Sequence, residues 1–225
     1  MEKYYKILRE DMVMRGFKYK VGLNVDTKEL KEDIYNCGAG LHFSDKDNIL
    51  YFLDYGELIC EVKIPEGEKV FKYGEEDKSK AHSIILGEPR DLRKVETWEW
   101  MKKECIEMHS GSEFALRICS RIGYYDAVKF LIEDGADVNA VGDRALIWAS
   151  NNGNLEIVKL LVENGANIHS NDDEAFRYAA EEGKLEVVKY LVDKGADIHA
   201  LDDYAFVWSS YNEHNDVVNF LKSIR

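Results

Sequence analysis

Proline, long apolar runs and paired cysteines are all scarce in this chain, and each shortage closes a class of structure. Only Pro65 and Pro89 interrupt 225 residues, 45% of them hydrophobic, which is the composition of a folded chain and not of a disordered one. No apolar stretch approaches the roughly 18 to 20 residues that a bilayer span needs. The opening MEKYYKILRE is too charged for a secretory signal. A soluble, intracellular protein without membrane contact is expected. The four cysteines, Cys37, Cys60, Cys105 and Cys119, form no C-x-x-C pair, so a disulfide framework has little support outside a secretory context. Reduced, mostly buried thiols are favoured over a metal or redox site. No P-loop, G-x-S-x-G or H-E-x-x-H is present, so no catalytic residue, cofactor site or metal site is assigned.

Basic residues are also in deficit. The formal net charge is −13, of which residues 1–110 carry −4 and residues 111–225 carry −9. Nucleic-acid binding depends on releasing counterions to Lys and Arg, so an acidic second half argues against nucleic acid as a partner. The same excess of acid keeps a stacked protein soluble and monomeric.

What the chain does have is repetition. GYYDAVKFLIEDGADV at residues 123–138 returns as GNLEIVKLLVENGANI at 153–168 and as GKLEVVKYLVDKGADI at 183–198, and HNDVVNFLKSI begins a shortened copy at His214. A fixed period in this range marks a stacked architecture whose units cannot bury their apolar faces alone. Each unit reads as helix, tight turn, helix and loop. Asp143, Asp173 and Asp203 stand where a carboxylate can cap the first helix. Gly123, Gly153 and Gly183 mark the turn, and Gly135, Gly165 and Gly195 follow the second helix. That second helix is apolar nearly all round, so neighbouring units must sandwich it.

These residues resemble the ankyrin repeat family, whose G-h-x-x-h-V-x-x-L-h-x-x-G-A-[DN]-h-[NH] run occurs three times. The fold expected is therefore an α+β N-terminal domain at 1–90 and a linker or capping helix at 91–111. An all-α solenoid follows, with units at 112–142, 143–172 and 173–202 and a truncated cap at 203–225. The family's Thr-Pro-Leu-His is replaced by Arg144-Ala145-Leu146-Ile147, Glu174-Ala175-Phe176-Arg177 and Tyr204-Ala205-Phe206-Val207. The loop is also about three residues short of the usual 33-residue repeat, so the projecting hairpin should be stunted. This style is similar to the ankyrin arrays of giant DNA viruses of amoebae. GLNVD, CGAGLHF, FLDYG, VKIPEGEKV and KAHSIIL in the first half are similar to a unit that precedes such arrays.

The resemblance implies an adaptor that binds a protein through the groove formed by loop tips and first helices, with a host protein in the host cytoplasm as the expected partner. The groove positions that differ between repeats are Arg117, Arg121, Arg144, Ile147, Asn151, Glu174, Arg177, Glu181, Tyr204, Val207 and Tyr211. Tyr204, Tyr211 and Arg177 are the expected anchors, because Tyr and Arg are enriched among interface hot spots. The bland alternative is solvated surface. Trp148, Tyr178 and Trp208 occupy the family's buried apolar position and are expected in the core. His169 and His199 are expected to hydrogen-bond between adjacent loops, with a metal pair as the weaker alternative.

In the first half, KYYKILREDMVMRGFKY carries helix-like spacing that Gly16 would end. YKVGLNV, LHF, LICEVKIP, KVFKY and AHSIILG read as strands, TKELKEDIYN as loop or helical turns, and Ile49 to Leu53 as a helix capped by Ser44 or Asp45. The two tryptophans of RDLRKVETWEWMKKECIE suit a linker helix between domains, or an aromatic ligand platform. GAGLHFSD also resembles the G-x-G-[IL]-Y-F-[AS]-D motif of NAD-utilising ADP-ribosyltransferases through Gly38, Gly40, Leu41, Phe43, Ser44 and Asp45, with His42 in place of the aromatic. That family's upstream His-Gly-Thr and its catalytic Glu have no counterpart near Val21-Gly22-Leu23 or elsewhere, so a non-catalytic relative is favoured.

Overall fold

The structure is a computed structural model that describes residues 2–28, 39–73 and 78–224. Contacts divide the chain into two compact units, Met1–Ser110 and Gly111–Arg225.

The first unit is built on one antiparallel sheet. Its strands are β1 (Tyr4–Leu8), β4 (Gly22–Val25), β5 (Leu41–Asp45), β6 (Leu58–Lys63), β7 (Phe71–Tyr73), β8 (Lys78–Ala81), β9 (Ser83–Leu86) and β10 (Arg90–Asp91). They run in the order β4-β9-β6-β1-β5-β8-β7, with β10 paired to one end of β6. The helix expected at the start of the chain is instead β1 and a separate hairpin. All five residues of Tyr4–Leu8 are buried, because β1 is paired on both edges by β6 and β5 and covered on both faces, Tyr4 and Leu8 packing in the core with Tyr19, Leu41 and Val62 and Tyr5 on the other side meeting Trp100. A strand covered on both faces shows no alternation, and its apolar run is easily taken for part of a helix. Arg15 and Gly16, both at positive φ, form the two-residue turn between β2 (Val13–Met14) and β3 (Phe17–Lys18). Positive φ at both central positions is what a type I′ hairpin requires.

β4, β5, β6, β7 and β9 lie in the segments read as strands, but AHSIILG contributes to two strands separated at His82, and Arg90–Asp91, expected to open the helix, is β10, the helix itself starting at Val95. Most of TKELKEDIYN, together with Cys37 and Gly38, lies outside the described residues. Ile49–Tyr55 is a 3-10 helix. Asp45, not the buried Ser44, serves the turn before it: its Oδ1 accepts from the amides of Asp47 and Asn48 at 3.0 and 3.1 Å. The helix α1 (Val95–Lys103) belongs to this first unit. Trp98 is fully buried and donates its indole N–H to the Leu92 carbonyl at 2.7 Å, while Trp100 meets Tyr5 edge-on at 5.9 Å.

The second unit is helical throughout. Its first helices are α2 (Ser110–Ile122), α4 (Ala140–Asn152), α6 (Ser170–Glu181) and α8 (Ala200–Tyr211); its second helices are α3 (Tyr125–Glu133), α5 (Leu155–Glu163), α7 (Leu185–Asp193) and α9 (Asn215–Ser223). Like packs on like, α4 on α6 on α8 and α3 on α5 on α7 on α9. Val128, Leu131, Val158, Leu161, Val188 and Leu191 form the fully buried seam. At Gly183, φ is +67° and an added Cβ would stand 2.5 Å from the His214 ring, so both conformation and space demand glycine.

The stunted hairpin takes a specific form. Residues 111–113, 141–143, 171–173 and 201–203 all hold positive φ, three in succession in each repeat. This left-handed turn leads directly into the first helix. It also redirects the aspartates. Instead of capping their own helices, Asp143 accepts from the Asn167 amide at 2.7 Å and Asp173 from the Asp197 amide at 3.1 Å, each tying the turn that opens its repeat to the loop that closes it.

Candidate protein-binding site

The first helices carry most of the variable side chains, and the structure links them into a row. Arg117 lies over the rings of Phe114 and Trp148 at 5.4 and 5.7 Å, and Arg121 over Trp148 at 5.5 Å. Arg144 pairs with Glu174 at 3.4 Å, and Glu174 also accepts from Asn171 at 2.8 Å. Arg177 lies over Tyr178 and Tyr204 at 5.9 and 4.9 Å. The Tyr204 hydroxyl donates to Glu181 at 2.7 Å, and burial with that hydrogen bond pushes its pKa up to about 12. Trp208 then touches both Tyr204 and Tyr211 at 5.7 and 5.6 Å.

Two arginines of the row are committed to their own turns. Arg117 donates to the carbonyls of Ser112 and Gly111 at 3.1 and 2.8 Å, and Arg177 donates to those of Asp172 and Asn171 at 2.7 and 2.9 Å. A left-handed turn leaves carbonyls without helical partners, and a guanidinium supplies donors in a fixed fork. Ile147 and Val207, at the same register, have no donor to offer.

Burial corrects several expectations. Glu174, Arg177 and Ile147 are buried. The first two satisfy each other's neighbours within the array, and a following first helix packs over each of α4 and α6. Val207, at the equivalent place on α8, is 52% exposed. Conversely, Trp148, Tyr178 and Trp208 are not core. Trp148 and Tyr178 are half-buried and Trp208 is 38% exposed. Arg117, Arg121, Arg144, Asn151, Glu181 and Tyr204 are half-buried, and Tyr211 is 77% exposed.

The missed signal was helical spacing. Positions i, i+4 and i+7 share a face, which joins Arg144, Trp148 and Asn151 in one repeat, Glu174, Tyr178 and Glu181 in the next, and Tyr204, Trp208 and Tyr211 in the last. His169 and His199 bond within their own loops and not between loops, with Nδ1 at 3.0 Å from Asp173 and 2.6 Å from Asp203. The cross-loop bonds belong to the aspartates instead. Among the described residues no group of His, Cys, Asp and Glu is arranged to hold a metal ion, and no helix is long and apolar enough to cross a membrane. Of the described cysteines, Cys60 and Cys119 are buried, Cys105 is exposed and all three are unbridged.

In the first unit, the transferase-like motif is mostly taken up by the sheet. Leu41, Phe43 and Ser44 are buried in β5, Asp45 holds the following turn, and the Gly40 amide donates to Asp26 at 2.6 Å.

Stacked helix pairs with a 30-residue period, a glycine in the inter-helix turn of the first three repeats and an aspartate brace between loops define a helical repeat protein of the ankyrin class. Residues 98–172 and 116–202 match ankyrin repeats (3 copies), and residues 2–96 match a domain of unknown function (DUF7666). The chain belongs to the ankyrin repeat family. It is 36% identical over 142 residues to ankyrin repeat protein R896 of Acanthamoeba polyphaga mimivirus, covering 60% of this chain and 42% of the relative. It is 31% identical over 136 residues to protein R868 of the same virus, covering 58% and 67%, and 31% identical over 149 residues to protein R838, covering 60% and 54%. The chain therefore spans from two fifths to two thirds of the length of these relatives.

Proposed function

We propose that the array is a protein-recognition module whose contact surface is the aromatic face of the first helices, and that the chain acts as an adaptor on a host protein. The observation that carries this reading is the row of Trp148, Tyr178 and Trp208, one surface aromatic at one register in each of the second, third and fourth repeats, ending beside the exposed Tyr211. Large aromatic side chains kept partly in water give up much of the stabilisation that burial would provide. The same side chains dominate binding energy when a partner covers them. Viral relatives support a host protein as the partner, and the host cytoplasm as the place of action. The acidic array disfavours nucleic acid, in line with the charge argument. The chain is read as a monomer without a cofactor, and no reaction is assigned to the first unit.

The test is capture from amoebal lysate by the full chain and by a Trp208→Ala, Tyr211→Ala variant. A specific protein enriched by the wild type and reduced at least tenfold by the variant, with Tm shifted by less than about 4 °C, is the expected result. Equal capture by both forms overturns the assignment of this face.

A further inference from the structure

The first unit contains a cavity of about 80 Å³ between β1, β5, β8, the β2–β3 hairpin and the 3-10 helix. At roughly 10 to 15 Å³ for each water of this measure, it has room for a compact organic molecule. Its lining combines Lys6, Arg15, His42 and Lys78 with the rings of Phe52 and Tyr55, and no carboxylate is among the described lining residues. Such a concentration of cations is unexpected in a protein of net charge −13.

Lys6 is the group that calls for explanation. It sits in the central strand with only 3% of its surface exposed. Its ammonium group donates to the His42 carbonyl, lies 3.9 Å from the Met14 sulfur and stands 4.6 Å over the Tyr19 ring. Among the described residues none of its contacts carries a negative charge. A buried lysine without a counter-ion is rare, because removing an ammonium from water is costly unless an anion compensates it.

We propose that this cavity binds a small organic oxyanion, a carboxylate or phosphate carried on an apolar body, with Lys6 at its floor and the rings of Phe52 and Tyr55 against the apolar part. Lys6 supplies the charge that the ligand completes. Arg15 and Lys78 add positive potential, and Lys78 lies 5.3 Å over the Phe52 ring.

Protonation gives the site a pH signature. Burial, with the positive charge of Arg15 nearby, lowers the Lys6 pKa to about 7. Anion binding needs the ammonium form, so affinity falls as pH rises through that value. The ionisable groups facing Lys6 are Cys60 on β6, Tyr19 and Arg15 on the hairpin; His42 on β5 lines the same cavity and meets Lys6 through its backbone carbonyl. Burial raises the Cys60 thiol to about 11 and raises the Tyr19 phenol as well, so neither titrates in the same window.

The experiment is calorimetric titration of the full chain with phenyl phosphate, benzoate, inorganic phosphate and neutral benzyl alcohol. At least one aromatic anion should bind, and benzyl alcohol should not. Binding of phenyl phosphate alone assigns a phosphate ligand, and binding of benzoate alone a carboxylate. Lys6→Met should weaken the bound anion at least tenfold. For benzoate or phenyl phosphate, affinity should fall about tenfold from pH 6 to pH 8, and His42→Gln should keep that slope while Lys6→Met removes it. Should Lys6→Met fail to fold, an Arg15→Gln, Lys78→Met variant should show at least a fivefold loss. No anion binding at millimolar concentration, binding of benzyl alcohol equal to that of the anions, or affinity unchanged in the variants overturns the proposal.

Discussion

The two units tie their chain together over very different distances. In the array, the aspartate braces join residues 24 apart, and the same brace recurs one repeat later. In the sheet unit, the Lys3–Glu104 ion pair joins residues 101 apart, and Tyr5 near the start of the chain meets Trp100. The difference separates two ways of reaching a stable core. A solenoid adds nearest-neighbour interfaces of nearly equal kind, whereas the sheet must close long loops before its contacts compensate the ordering entropy.

The sharpest way to break this comparison is to empty one core site in each unit. Trp98→Ala removes a fully buried side chain and its hydrogen bond, and should cost about 3 to 5 kcal/mol. Because the sheet unit has no second copy of that contact, amide hydrogen exchange should accelerate across its strands together. Leu161→Ala, from the buried seam of α5, should cost about 2 to 5 kcal/mol. Its effect should grade outward, with α5 and its neighbours α3 and α7 losing protection before α9. Uniform loss over the whole array would contradict the nearest-neighbour picture.

A smaller change sharpens it. Asp173→Ala leaves the Asp197 amide without its acceptor, which should cost about 1 to 3 kcal/mol. Urea denaturation measures the loss, and hydrogen exchange should place it at the junction of the third and fourth repeats. The smallest effect has the opposite sign. Val141 is a β-branched residue held at φ 57° and 50% exposed, where a left-handed conformation is disfavoured by roughly 1 to 2 kcal/mol. Val141→Gly should therefore raise stability by about 1 kcal/mol, read as a higher urea midpoint at unchanged slope.

The same contrast explains what the sequence made legible. Repeat boundaries, glycine turns and the sandwiched second helix are written into the sequence three times over, so the array can be laid out from the sequence alone. Comparing copies does not reveal which variable residues face water. Arg177 varies like a surface residue and yet is buried, because its donors serve carbonyls of a turn whose left-handed backbone no side-chain pattern announced. Trp148 is expected in the core from the family's register, and helical spacing from Arg144 places it better than that resemblance does. In the sheet unit, nothing in the helix-like spacing of KYYKILREDMVMRGFKY singles out Lys6. Only the pairing of β1 between two strands makes it the most deeply enclosed charge beside the cavity.

The two arginines that hold their turns also give the array a parity. Arg117 and Arg177 occur in the first and third repeats, and Ile147 and Val207 in the second and fourth, so a latched repeat alternates with an unlatched one. The unit of exchange that preserves every junction is a pair of repeats. Deleting or duplicating a single repeat would set two latched or two unlatched turns side by side, whereas a change by two leaves each neighbour as it was.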